Sequence, residues 1–310
     1  MLNKKRDGMS NTLKLMKRNW ILYLFLIPAV IYIATFMYAP MYGLVIAFKN
    51  FSPARGIMGS PWVGFKWFET FFQTPRFWQI LKNTLGLSIY TLIVGFPIPI
   101  LLALVINNVQ NTKFKKFSQT VTYMPHFIST VVLVGMMSVF FSPNSGFINT
   151  ILEMLGGSGD ILFMGEEKYF RHMYVWSGIW QSTGWNSIIY IAALSGVSQE
   201  LHEAAKIDGA NKLKRILNVD LPGILPTMVI LLIMNCGSIL SVGYEKVYLM
   251  QNSINITQAE VISTYVYKIG LQQQRFSYST AIGLFNNVIN FSLLVLVNKA
   301  SKKISGLGLW

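Results

Sequence analysis

Gln199-Glu-Leu-His-Glu-Ala-Ala-Lys-Ile-Asp-Gly-Ala-Asn-Lys-Leu-Lys-Arg-Ile-Leu-Asn-Val-Asp-Leu-Pro222 is a charged stretch held between two apolar runs, His172–Gly196 and Gly223–Met250. Its first half, Glu200–Ile207, is made of good helix formers, with glutamate near the start where it meets the positive end of the helix dipole. Gly209 stands where a left-handed residue closes such a helix. A second amphipathic turn follows, setting Leu213, Ile216 and Leu217 against Lys212, Lys214 and Arg215. Pro222 marks the start of the next apolar run and Pro226 lies one turn on. The pattern predicts a short helix–turn–helix outside lipid, strung between two membrane helices. Its small residues Ala204 and Ala205 admit the close approach of another surface, such as a groove on a cytoplasmic partner.

Working outward, a bilayer core is crossed by about 20 apolar residues in helical form. Six segments meet that length: Trp20–Phe48, Ile80–Ile106, Val121–Phe141, His172–Gly196, Gly223–Met250 and Tyr278–Val297. Prolines interrupt several of them (Pro28, Pro40, Pro97, Pro99, Pro125), which a bundle tolerates because neighbouring helices or water re-satisfy the freed backbone groups. Backbone hydrogen bonding in lipid must be internal, so the expected fold class is all-α, a polytopic membrane protein with six transmembrane helices. Residues 1–19 read as a basic cytoplasmic segment, 20–298 as the membrane domain with the loop 197–222, and 299–310 as a cytoplasmic tail.

Composition agrees. Of 310 residues, 53% are hydrophobic and 12% charged, about half the charge of a soluble domain, and the mean hydropathy is +0.45. The net charge of +14 does not indicate nucleic-acid binding, because the basic residues sit between apolar spans. With the N-terminus inside, twice as many Lys and Arg lie in the inner segments as in the outer ones, as positive-inside topology requires. Both termini are then cytoplasmic. The basic N-terminal segment followed by Trp20–Phe36 is too long an apolar stretch for a signal peptide and reads as an uncleaved first span.

The outer segments are expected to differ from one another. Asn50–Gln79 is crowded with aromatics (Trp62, Phe65, Trp67, Phe68, Phe71, Phe72, Trp78) and is expected to lie along the membrane surface. Pro143–Phe170, with Gly156-Gly157-Ser158-Gly159, reads as a flexible loop. The one cysteine, Cys236, sits in an apolar run and has no assigned role. No His/Cys/Asp cluster suggests a metal, and no constellation suggests catalysis. A phosphate-cradling Gly-x-x-x-x-Gly-Lys-Ser/Thr loop is absent from the sequence, so the chain is expected to bind no cofactor.

Glu203-Ala204-Ala205, Asp208-Gly209-Ala210, then Leu221-Pro222 with Pro226, resemble the "EAA" loop of the permease subunits of ABC importers. The resemblance implies that this loop forms coupling helices docking into a cleft on a separate ATPase, which carries ATP and Mg. The stretch Trp62-Val-Gly-Phe-Lys-Trp-Phe, with Arg76-Phe77-Trp78 and Asn83-Thr84, resembles the segment before the second span of maltose-type sugar permeases. Gly243-Tyr-Glu-Lys-Val-Tyr-Leu-Met-Gln251 and Gly306-Leu-Gly-Leu-Trp310 resemble a narrower group that imports oligosaccharides derived from complex polysaccharides. The implied partners are a second, similar permease, two ATPase copies and an external solute-binding protein, in a bacterial cell membrane. The chain lacks the extra spans and large external domain of the longest maltose-type permease, so that protein's sugar contacts are not carried over.

Sugars are bound by aromatic faces and planar amides, which makes polar and aromatic residues within spans pathway candidates. Gln181 and Trp185 are four apart, as are Asn186 and Tyr190, so each pair shares a helical stripe. Gly184 would let a ring approach the backbone. Tyr244, Glu245 and Lys246 are expected near the cavity, against the alternative that the charges sit at an outer helix end and snorkel. Asn286, Asn287 and Asn290 read as helix packing ahead of sugar lining, and His126 as a packing residue. Two other readings stay open: an ABC importer for phosphate or peptide, and an ion-driven secondary transporter, although the inverted repeats of the latter are not evident.

Overall fold

The computed structural model describes residues 15–310; the basic residues Lys4, Lys5, Arg6 and Lys14 lie outside this range. Helix α1 (Trp20–Ile33) runs on through a widened π turn, Ala34–Tyr38, into a 3-10 stretch, Ala39–Phe48. The π turn precedes Pro40, whose ring clashes with the carbonyl four residues back in a regular α-helix and removes a donor. After α2 (Lys66–Gln73), α3 (Phe77–Gly95) and α4 (Pro97–Asn107) form one 31-residue rod. Helix α5 (Thr112–Tyr123), a 3-10 turn at Met124–Phe127, and α6 (Thr130–Phe140) form a pair bent by 96°. Then come α7 (Phe147–Met154), the long α8 (Glu167–Ser195), α9 (Gln199–Ile207), α10 (Lys212–Arg215), α11 (Leu221–Cys236), α12 (Tyr244–Met250), α13 (Ile262–Tyr267) and α14 (Phe276–Ser305). Among the described residues the only strand-like pairing is one isolated bridge, Lys49 to Trp62. The fold is all-α.

Four helices are long and apolar enough to cross a membrane, Trp20–Phe48, Phe77–Asn107, Lys212–Cys236 and Phe276–Ser305, or five if the bent pair is one crossing. The six spans read from the sequence differ from these in three places. The third expected span, Val121–Phe141, is no single rod, because Pro125 breaks it at the 3-10 turn. The fourth, His172–Gly196, lies in α8, whose 29 residues reach far enough (~43 Å) but carry charges in the first turns and polar residues in the middle. The fifth, Gly223–Met250, is interrupted. Helix α11 ends at Cys236 and α12 starts at Tyr244, and Asn290 of α14 replaces the lost helical partners of the unwound stretch. Its Oδ1 accepts the Leu240 N–H (3.0 Å) and its Nδ2 donates to Ser241 Oγ (2.8 Å). Irregular backbone at membrane depth persists where protein or a cavity meets it.

Lipid is as apolar as leucine, so close packing and polar contacts hold such helices together. Helix α8 is central, packing on α3, α4, α5 and α11. At Gly184 a Cβ would overlap the Thr122 carbonyl. The glycine therefore admits the backbone of α5, where a ring was expected. Three apolar clusters follow the bundle. One gathers Leu87, Met137, Val175 and Val247, and another joins Ile100, Tyr190, Leu194 and Ile224. The third is aromatic, with Phe71, Phe77, Tyr265 and Tyr278.

The aromatic segment 50–79 thus divides in two. Phe71 is buried with its ring edge on Phe77 (5.0 Å) and against Phe285 (5.7 Å), whereas Trp62, Phe65 and Trp78 are exposed. The stretch 143–170 is more ordered than a glycine-rich loop suggests. Buried Asn149 donates to the carbonyls of Ser142 and Ile161 (both 2.9 Å) and accepts the Ile161 N–H, pinning both ends of the turn. Helix α1 has no buried residue; its apolar surface faces outward all round.

Candidate functional site: a docking loop and a polar cavity

The loop closes by local rules. Ser198 caps α9 by accepting the Glu200 N–H (3.2 Å). At the other end Gly209 has φ 75°. Its N–H reaches the Lys206 carbonyl (3.0 Å), and the Ala210 N–H reaches the Ala205 carbonyl (2.9 Å), the paired bonds of a Schellman stop. Asn211 caps the next turn through Lys214 N–H (2.9 Å). A second π turn, Ile216–Asp220, precedes Pro222 as the first one precedes Pro40. His202 Nε2 lies 3.3 Å from Oδ1 of Asp220, which is 1% exposed. Gly223 sits so close to Val197 that a Cβ there would come within 2.7 Å of a Val197 methyl. The two ends of the loop are therefore tied, and α9–α10 form a bracket fixed to the foot of α11.

The bracket presents its motif outward. Glu203, Ala204, Asp208, Gly209 and Pro222 are exposed, and Ala205 and Ala210 are half-buried. Beside them stand unpartnered apolar side chains, Leu201, Leu213, Leu217 and Ile207, the last 87% exposed. An exposed apolar face rimmed by charge on a fixed scaffold is suited to contact with another surface.

A cavity of about 700 Å³ opens between the α3–α4 rod, α8, α11 and the unwound stretch 237–243. Gln181, Trp185, Asn186, Tyr190 and Lys246 line it together. Tyr244 and Glu245 do not: the Tyr244 ring packs on Tyr267 (4.6 Å) and Tyr248 (5.4 Å), and Glu245 is exposed. Two of the lining residues also hold structure. Gln181 Nε2 donates to the Ile128 carbonyl (2.7 Å) at the break before α6, and Trp185 stacks on His126 (4.3 Å, 6°). Lys246 is 9% exposed, its Nζ donating to the Tyr174 carbonyl (2.9 Å) and lying 4.8 Å from the Tyr174 ring centre. It does not snorkel. An ionisable group within a span costs about 2.5–3.5 kcal/mol on insertion scales.

Sequence reasoning missed Ser88 and Thr91 on α3, Tyr174 on α8, and Asn235, Ser238 and Ser241 around the break. Ser88 and Thr91 are three apart in an apolar run, a helical stripe the sequence does carry. Asn235 and Ser238 repeat that spacing at the end of α11, while Ser241 reaches the cavity from within the break at 237–243 and Lys246 from beyond it.

The chain is similar in sequence and in fold to known proteins. Residues 95–306 match the family model described as "Binding-protein-dependent transport system inner membrane component". The chain belongs to this family. It is 43% identical to the polygalacturonan/rhamnogalacturonan transport system permease protein YteP of Bacillus subtilis over 307 residues, 99% of this chain and 95% of that one. It is also 43% identical to protein LplB of the same organism over 295 residues, 95% and 92% of the two chains. A crystal structure of a bacterial alginate ABC transporter, in complex with an alginate pentasaccharide-bound periplasmic protein, superposes with a TM-score of 0.87. Identity there is 40%, over 96% of this chain and 99% of that one. As a member of the family the chain is a multi-pass inner-membrane permease component of an ABC importer. ATP hydrolysis belongs to a separate subunit, and the permease itself binds no cofactor.

Proposed function

We propose that this chain forms half of the translocation pathway of an ATP-driven importer of oligosaccharides and couples that pathway to its ATPase through α9–α10. A second, similar permease forms the other half, each permease seats its loop on one copy of an ATPase dimer, and an external solute-binding protein delivers the sugar. Six crossings with both termini in the cytoplasm fit this reading, with α5–α6 and α8 counted as one crossing each. The domain division is then 1–19, 20–298 and 299–310, in a bacterial cytoplasmic membrane. Glu203, Ala204, Ala205, Asp208, Gly209, Ala210 and Pro222 make or frame the ATPase contact. Gln181, Trp185, Asn186, Tyr190 and Lys246 offer the aromatic faces, amides and cation that meet the sugar, and Tyr244 and Glu245 shape the surface behind Lys246.

The observation that carries the proposal is the tied bracket with its exposed apolar face. ATPase closure that moves α9 must also move the foot of α11, and α11 walls the cavity. In proteoliposomes containing the whole importer, Glu203→Ala and Gly209→Pro are expected to lower sugar-stimulated ATP hydrolysis and uptake together, Gly209→Pro more severely because proline cannot adopt positive φ. Full coupling in both variants would sink the proposal. Uptake of phosphate or peptide in place of sugar would keep the coupling role and remove the cargo.

A further inference from the structure

Lys246 is a buried cation facing a polar cavity, and the residues around it leave its charge unanswered. Among the described lining residues there is no aspartate, no glutamate and no second cation. Its two neighbours, the carbonyl and ring of Tyr174, solvate an ammonium but carry no formal negative charge. Gly178 keeps the space beside it open, since a Cβ there would come within 3.2 Å of Nζ. Further along α8, about 10 Å at 1.5 Å per residue from Gly178 to Trp185, the same cavity offers an indole face and the amide of Asn186. Aromatic faces and amides suit pyranose rings and hydroxyls whatever the charge of the sugar. A lone buried ammonium does not, because with a neutral ligand its desolvation is never repaid by an opposite charge.

We propose that Lys246 selects for acidic oligosaccharides, pairing with a ring carboxylate as the chain passes through the cavity, so that the cargo class is uronate-containing. This rests on the oligosaccharide-importer reading above. The ammonium holds the Tyr174 carbonyl with one N–H and has two further donors for a carboxylate.

The test is uptake of trigalacturonate and of its fully methyl-esterified counterpart by proteoliposomes holding the complete importer with its binding protein. Wild type is compared with Lys246→Gln, which keeps a donor but not the charge, and Lys246→Arg, which keeps the charge. The delivery protein is the same in all membranes, so its own preference cancels in the variant-to-wild-type ratio. Lys246→Gln is expected to lower trigalacturonate uptake by roughly tenfold or more, the scale of one charge-assisted contact, with the ester changed by less than about twofold. Lys246→Arg is expected to stay within about threefold of wild type on both. An equal fall for acid and ester in Lys246→Gln, or equal losses in Lys246→Gln and Lys246→Arg, would make Lys246 a structural tether and overturn the inference. Wild-type uptake confined to neutral oligosaccharides would overturn the acidic class and leave the importer reading intact. ATP-driven uptake of no oligosaccharide of either kind would overturn the importer reading itself.

Discussion

Single residues do most to shape this cavity. Asn290 is the clearest case, because one amide serves both a backbone N–H and a side-chain hydroxyl of the unwound stretch. Asn290→Leu keeps much of the volume but orphans the Leu240 N–H in an environment with little water to replace the bond, at a cost of about 1–3 kcal/mol. We expect a lower Tm in detergent and a raised KM for uptake; an unchanged Tm would show that 237–243 holds its shape unaided. Gly209 is a second single-residue device, legible in the sequence because the left-handed stop it provides is local, two residues past the end of the helix it closes. Nothing local marks Asn290. It reads as one more polar residue in an apolar helix, and its partners lie 49 and 50 positions away.

At the scale of elements the same divide recurs. The bracket α9–α10 was readable from its helix-forming run, glycine and proline, all of which act within one or two turns, although its caps Ser198 and Asn211 were not singled out. The broken span was not, because Gly223–Met250 is apolar enough on average to read as one run despite Glu245 and Lys246, and glycine and serine are ordinary residues in membrane helices. Its break depends on α14 standing beside it. The tie that makes the bracket rigid was also out of reach, since His202 and Asp220 sit on different elements. His202→Ala would remove the imidazole that lies 3.3 Å from the buried Asp220 carboxylate. Hydrogen exchange across 199–207 is expected to quicken by about fivefold, corresponding to roughly 1 kcal/mol of lost local stability, with α14 unaffected. Unaltered protection of 199–207 would mean that the ends of the loop are held by packing at Gly223 alone.

For the whole molecule, the sequence placed the polar loop, the apolar runs and the class of fold, and left the cavity to the structure. The walls of that cavity come from α3, α4, α8, α11 and an unwound segment, so no window of the chain contains it. The proposed coupling rests on a mechanical link: α11 is both the arm to which the bracket α9–α10 is tied and a wall of the polar cavity. The direct measurement is photo-cross-linking from a benzophenone side chain placed at Ile207, the most exposed apolar residue of the bracket, in membranes containing the assembled importer. A bracket seated on the ATPase gives a cross-link to that subunit whose yield changes between the ATP-bound and nucleotide-free states. Absence of an ATPase cross-link, with uptake still dependent on ATP, would contradict this seating.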